Sequence, residues 1–600
     1  MTPGNRLTLT DAENNTTSWV YDSLGRAVEE TNQLADTRYF VYNAAGYLVR
    51  QVDRLGRVRQ FQFDNLGRNT AEIWYNNVTD ADADQNRQRT FNFSYDAAGQ
   101  MLSASDPDAD YDFSYDDLGR PTQITQSLSG LVPMVTLTQQ YDAAGRRTQL
   151  AGRVNSTDDF VNDYLYDNLG RVTRLTQGEQ PGGKDVAEKR VEFSYDAAGQ
   201  LDTLTRYADT AGTQLVAETD YGYDLTGRLT DLTHFRGQTT FVDYDWSFDA
   251  AGRMTQYVNS IDGTADYTND ATGQLTAADY DYQTDESYTY DDTGNRVNDG
   301  YTVGANNRMT SDGTFYYLYD AEGNRTHRFI DANQNGQLDS GDGDITQYTW
   351  DHRNRLVKIE HRPDYEAAVD RVIEYAYDYQ NRWVRKELDA DGDGHLDGRR
   401  IFAYDGNQII LDFQRDGSND LQIGHLEQRY LWGPAVDQIL AEEEVDGGTD
   451  DMVQWALTDH LNTVRDIAKY DPGTDTTSVV NHLAYDAFGN VTSETDPTVD
   501  SLFLYTARPF DEDTGLQNNL NRWYDPAVGR WLSEDPIEAD DNLYRYCGNS
   551  PAIYVDPTGL WKVKRSGAPK AESTSEKGDT VYDLAERIGL DPNQFREWLT

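Results

Sequence analysis

Tyr21-Asp22-Ser23-Leu24-Gly25-Arg26 decides how this chain is read. The phrase returns as Tyr42-Asn43-Ala44-Ala45-Gly46 and as Phe63-Asp64-Asn65-Leu66-Gly67-Arg68, 21 residues apart each time. Further copies begin at Tyr95, Tyr115, Tyr141, Tyr166, Tyr195, Tyr223, Phe248, Tyr290, Tyr319, Trp350 and Tyr377, with a weaker one at Asn269. A period of this length marks one supersecondary unit used many times. Before the phrase, apolar and polar residues alternate, as in Phe91, Phe93 and Tyr95, the period of a half-buried strand. Asp-x-x-Gly then supplies a turn, because Asp bonds the backbone ahead of it and Gly tolerates positive φ. A second strand follows, as in Leu201-Asp202-Thr203-Leu204-Thr205. Each unit is therefore a β-hairpin that cannot bury its apolar face alone, so the units must join into a continuous sheet. The expected fold is all-β. The repeated Tyr reads mainly as scaffold; the functional alternative is a carbohydrate site at each copy.

Lys plus Arg number 52 and Asp plus Glu 104, a net charge of −52. Phosphate recognition needs basic patches, so nucleic acid is excluded as a partner of the outer surface. Only 37% of residues are apolar, which suits a thin curved sheet better than a thick globular core. Cys547 is the single cysteine, so no intrachain disulfide forms and the redox compartment stays open. There is no 18-residue apolar run to span a membrane. The first twenty residues are polar and show no signal-peptide pattern, and the expectation is a fragment of, or a chain exported with, a larger system.

Two acidic loops lie between repeats. In residues 331–342, Asp331, Asn333, Asn335, Asp339 and Asp342 occupy positions 1, 3, 5, 9 and 12, with Gly336 at position 6. Alternating oxygens around a glycine turn are the Ca²⁺-loop pattern. Residues 389–397 repeat its first nine positions with Asp389, Asp391, Asp393 and Asp397, but Arg400 stands where the twelfth ligand belongs. The expectation is structural Ca²⁺; the alternative is two acidic hairpin tips without metal. No organic cofactor is indicated.

From about residue 455 the text changes. It runs through Trp455-Ala456-Leu457-Thr458-Asp459-His460-Leu461, Tyr485-Asp486-Ala487-Phe488-Gly489, and Arg522-Trp523-Tyr524-Asp525-Pro526, then Ser533-Glu534-Asp535-Pro536 and Asp556-Pro557-Thr558-Gly559-Leu560. With the Tyr-Asp phrases, this series resembles the RHS/YD-repeat family and its RHS repeat-associated core domain, as in the shell-forming parts of bacterial Rhs and Tc-type toxins. The resemblance covers residues 15–560. It implies a sheet wound spirally into a hollow shell that encloses a C-terminal polypeptide, with a core domain that plugs one end and cuts the chain after Asp-Pro-x-Gly-Leu. By motif match the aspartyl-type carboxylates are Asp535 and Asp556, the arginine is Arg522, and the bond cut joins Leu560 to Trp561. Such a pair shares one proton, so that one carboxyl activates water while the other protonates the substrate. One departure stands out: Glu538 occupies the Gly of the family's Asp-Pro-Ile-Gly.

The organisation expected is a YD-repeat shell over 1–454, a core domain over 455–560, a linker over 561–577 and a helical segment over 578–600. That last stretch resembles the opening of a LysM module, which binds peptidoglycan or chitin. His460 reads as structural and Cys547 as buried. Three functions remain. The chain is an extracellular or surface-exposed shell that houses or presents its own C-terminal segment or a cargo polypeptide and frees it by self-cleavage; a non-catalytic scaffold for cell-wall glycan; or a remnant whose cargo is lost.

Overall fold

The computed structural model describes residues 5–445, 452–564 and 572–573; the expected LysM-like helices at 578–600 lie outside them. Among the described residues, one antiparallel sheet of 24 strands runs from Thr8–Thr10 to Glu286–Ser287, and a second of 16 runs from Tyr301–Val303 to Val491–Glu494. Each strand pairs with its neighbour in sequence, as Val135–Tyr141 does with Arg147–Val154, so both sheets are long meanders. The second continues through residue 454, because Ile439–Glu444 pairs with Met452–Thr458. A one-turn helix, Val78–Ala83, caps its own start through Asn77 and interrupts the hairpins once.

The repeated phrase builds the turn and also ties each hairpin to the next. In the first copy the Asp22 Oδ1 accepts from the amides of Leu24 and Arg26 at 2.9 and 3.0 Å, and its Oδ2 pairs with Arg26. Gly25 stands at φ 82°, where a Cβ is strained. The same bonds recur at Asp116, Asp142 and Asp167. Arg146 then reaches forward, its guanidinium 4.7 Å above the ring of Tyr166 and bonded to the Asp167 carbonyl at 3.0 Å. Tyr166 reaches back with its hydroxyl to the Arg147 carbonyl at 2.7 Å. Cation–π contact and hydrogen bond together couple adjacent units. Turns at Asp53 and Asp459 share the geometry, although Val52 replaces the aromatic before one and Asn462, at φ 64°, replaces the Gly of the other.

The second meander lies along the first in the same order. Arg353 bonds Glu72 at 2.7 Å, Asp378 accepts from Tyr111 at 2.9 Å, Arg429 bonds Asp159 at 2.7 Å, and His482 bridges Asp466 and Asp262 at 2.7 and 2.8 Å. A ribbon that meets itself repeatedly in the same direction is a coil. The separation falls from 281 residues at Glu72 with Arg353 to 220 at Asp262 with His482, so later parts of the winding use less chain. This is the spirally wound β-shell expected. Turn tips of the first winding project outward, with Leu118 77% and Leu169 79% exposed, whereas Asp378 in a second-winding turn is fully buried.

Residues 502–560 pack against both windings. Phe510–Asp511, Leu516–Asn519, Arg522–Asp525 and Arg530–Trp531 form a small antiparallel sheet. Trp523 packs tilted 4.8 Å from Tyr375 of the second winding, and Ile553 joins the apolar cluster of Leu232 and Trp246 in the first. A charged hub closes the contact: Arg54 of the first winding bonds Glu30 at 2.9 Å and Glu534 at 2.7 Å, and Arg38 bonds Glu322 at 2.8 Å. After the segment, Tyr554–Val555 pairs with Val563–Lys564, which pairs with Glu572–Ser573.

Candidate active site

A strand of the small sheet and two Asp-Pro turns bring Arg522, Asp535 and Asp556 together. Arg522 opens a strand after the tight turn at Leu520, whose φ is 60°. Asp535 heads an Asp-Pro turn in which its Oδ1 accepts from Ile537 at 3.1 Å and its Oδ2 from Ala539 at 3.2 Å. Asp556 heads a second such turn. Gly559 there, at φ 68°, leaves no room for a Cβ, which would stand 2.7 Å from the Asn519 carbonyl oxygen.

The Arg522 guanidinium lies between the two carboxylates, 3.3 Å from Asp556 Oδ2 and 3.8 Å from Asp535 Oδ2. Its Nε donates to the Gly559 carbonyl, and its face covers Trp531 at 4.2 Å. All three groups are buried. Burial pushes the Asp556 carboxyl up to about 6, against the pull of Arg522 and with the help of Asp535; burial also raises Asp535. A raised pair flanking one cation holds a proton at mildly acidic pH. The second Asp556 oxygen, Oδ1, accepts from the amides of Leu560 at 3.0 Å and Trp561 at 3.2 Å, so one carboxyl touches the nitrogen of the bond that the motif marks. Beside Asp535 lies a polar cavity of about 90 Å³, bordered also by Arg57, Asn354, Asn521 and Ser533, roomy enough for water.

Glu538 keeps the backbone conformation that Gly would favour, at φ 52°. Its carboxyl, raised to about 8 by burial and by Glu30, turns toward the hub. Sequence reasoning missed Asn519 and Asn521. Asn519 donates to the Asp556 carbonyl at 2.6 Å, and Asn521 donates to the Thr558 carbonyl at 3.0 Å. Their signal is the amide-rich run Asn518-Asn519-Leu520-Asn521 just before Arg522. Cys547 is buried, and burial raises its thiol. His460 bonds the Ala552 carbonyl at 2.8 Å and packs 4.8 Å from Trp246.

The acidic loops differ. In the first, Asp331 accepts from backbone amides including Gly336 at 2.6 Å, and Asp342 accepts from Ala332 at 3.0 Å and Asp339 at 2.8 Å. Asp339 is engaged by the side-chain amides of Asn333 and Asn335 at 3.0 and 2.7 Å. In the second, carboxylate oxygens of Asp389, Asp391 and Asp397 lie within 4.8 Å of one another, the one such group among the described residues. Asp393 stands apart and accepts from the His395 amide at 2.8 Å. An all-oxygen set of this kind fits a hard divalent cation.

Known proteins place the chain. A teneurin YD-shell family model matches residues 453–552 and an RHS repeat model matches residues 95–131. Over these segments the chain is similar to RHS/YD-repeat proteins. Double-stranded DNA deaminase toxin A of Burkholderia cenocepacia is 24% identical over 480 residues, 78% of this chain and 30% of that protein. The tRNA nuclease WapA of Bacillus subtilis is 25% identical over 485 residues, 79% of this chain and 16% of that one. The chain spans less than a third of the length of these relatives. Among solved structures, the Tc holotoxin pore of Photorhabdus luminescens is similar with a TM-score of 0.44 and 16% identity, covering 91% of this chain and 34% of that one.

Proposed function

We propose that this RHS/YD-repeat shell houses or presents a C-terminal segment and severs it by one self-cleavage between Leu560 and Trp561. One observation carries the reading: buried Asp556 bonds the Trp561 nitrogen while Arg522 spans from it to Asp535. Water from the cavity beside Asp535 attacks the Leu560 carbonyl carbon and gives a proton to the Asp535 carboxylate. Once attack makes the Trp561 nitrogen pyramidal and turns its lone pair toward Asp556 Oδ1, Asp556, the protonated partner, delivers its proton to that nitrogen as the C–N bond breaks. The products are a Leu560 carboxylic acid and a Trp561 amine, which ionise by passing the acid's proton to the amine. Arg522 restrains the charge that the pair carries.

An extracellular or surface setting agrees with relatives named as toxins and with the salivary gland surface protein 1 of Aedes aegypti, 45% identical over 64 residues, 11% of this chain and 2% of that protein. Among the described residues no helix is long and apolar enough to cross a membrane. Mass spectrometry of the purified full chain tests the cut. A fragment ending at Leu560 is expected in the wild type and absent in Asp535→Asn and in Asp556→Asn; an intact wild-type mass after prolonged incubation at pH 5 overturns the reading.

Ca²⁺ belongs to the same proposal as a stiffener of the wall, held by Asp389, Asp391 and Asp397. Calorimetry with millimolar Ca²⁺ is expected to show binding that Asp391→Asn weakens. Heat unchanged in that variant, or no heat at all, reduces the loop to an ordinary turn.

A further inference from the structure

We propose that Asn381, in the second-winding turn 378–382, is a positioning residue for the cleavage segment and acts through Asn521. The inference rests on reading the bond between Leu560 and Trp561 as the one cut. Asn381 Nδ2 donates to Asn521 Oδ1 at 2.9 Å, and Asn521 Nδ2 donates to the Thr558 carbonyl at 3.0 Å. The Asn521 backbone amide donates to the same carbonyl at 3.2 Å.

The amide orientations are fixed from both ends. Asn381 Oδ1 accepts from Arg353 at 2.9 Å and from Arg355 at 3.3 Å, and these guanidinium groups can only donate. Thr558 presents a carbonyl, which can only accept, so Asn521 must turn its nitrogen toward it. The polarity of the relay therefore runs one way, from arginine to asparagine to asparagine to carbonyl. Arg353 in turn bonds Glu72 of the first winding at 2.7 Å. The relay thus begins where the two windings meet and ends two residues before Leu560. Nothing in the Asp535, Asp556 and Arg522 group fixes the Thr558 carbonyl, and a displaced peptide loses reactivity steeply. Seating of one winding on the other thus adds a hold at the Thr558 carbonyl to those that Arg522 and Asp556 place on Gly559, Leu560 and Trp561.

Two measurements test this on the full chain. The first is the rate at which the fragment ending at Leu560 accumulates. Asn381→Ala and Asn521→Ala are each expected to slow it about ten- to a hundredfold, and the double variant to be no slower than the slower single, as members of one relay behave. Asn381→Asp keeps the oxygen that serves Arg353 and Arg355 but has no amide donor for Asn521; it is expected to be slow while melting like the wild type. The second is hydrogen exchange of the peptide spanning 556–561 in an intact Asp535→Asn background, where adding Asn381→Asp is expected to raise exchange at least about tenfold without change in the wall. Full rate in Asn381→Asp, additive losses in the double variant, or unchanged exchange overturns the relay. If the wild type never cuts, the protease reading falls by itself, and the exchange result alone decides whether Asn381 positions the loop.

Discussion

Aspartates at the wall's hairpin tips and aspartates in the core cassette start from the same local chemistry. Asp142 and Asp556 each accept with Oδ1 from the amide four residues ahead, at 3.0 Å in both. Their titration nevertheless moves in opposite directions. Asp142 is held below the usual carboxylate range by its bond to Arg146, with water at its back, whereas burial pushes Asp556 up to about 6. The turn sets where the carboxyl points. What packs over it sets whether the group is a passive brace or a proton donor.

The largest expected effect comes from removing the cation of the cassette. Arg522→Ala strands two buried carboxyls and uncovers Trp531, and a loss of about 3–5 kcal/mol in unfolding free energy is expected by denaturant titration. A loss no bigger than a surface charge change would mean that solvent already reaches the pair.

The second test uses pH. Asp556 in the folded chain binds its proton up to about 6, above the unfolded value near 3.9, so the folded state holds the extra proton between these values. Its favourable contribution is fully present below the unfolded value and is lost as pH rises through about 6, a change of about 3 kcal/mol in the cassette. The turns at Asp116, Asp142 and Asp167 behave oppositely: their depressed carboxylates contribute above the unfolded value and lose that contribution as pH falls through their lower folded value. Exchange protection measured by region between pH 4 and 8 should therefore fall in 516–561 with rising pH and hold steady at the turns 142–146 and 167–171. Equal responses would erase the distinction. The smallest effect is expected at the wall itself, where Asp142→Asn keeps the Oδ1 acceptor and loses one half-exposed ion pair with Arg146. Its melting temperature should match the wild type, and a clear drop would show that tip charges brace the winding.

The wall was legible because its logic is local. Tyr166, Asp167 and Gly170 sit within five positions, and the bonds that shape the turn lie among them. The turn at Asp53 was hidden because Val52 replaces the aromatic used to recognise the phrase, and that at Asp459 because Asn462 supplies the positive φ. Contacts between windings had no comparable signature. Lys189 and Glu443 are both fully buried and paired with each other, yet 254 residues separate them and neither is marked by its neighbours. The grouping of Asp535, Asp556 and Arg522 came from a resemblance of motifs, since spacing alone cannot bring three separate segments to one point. Asn381 was invisible for a further reason: it reads as the Gly position of a turn, and only its place on the buried rim gives its amide a second use.

The short strand Val563–Lys564 adds a separate consequence. It lies downstream of the bond between Leu560 and Trp561 but pairs with Tyr554–Val555 upstream of it. Breaking the covalent link would leave the severed end laced to its own stump, with the new terminus only two residues from that lacing. Scission and departure would then be distinct events: chemistry sets the clock for the first, and peeling two strands apart sets it for the second.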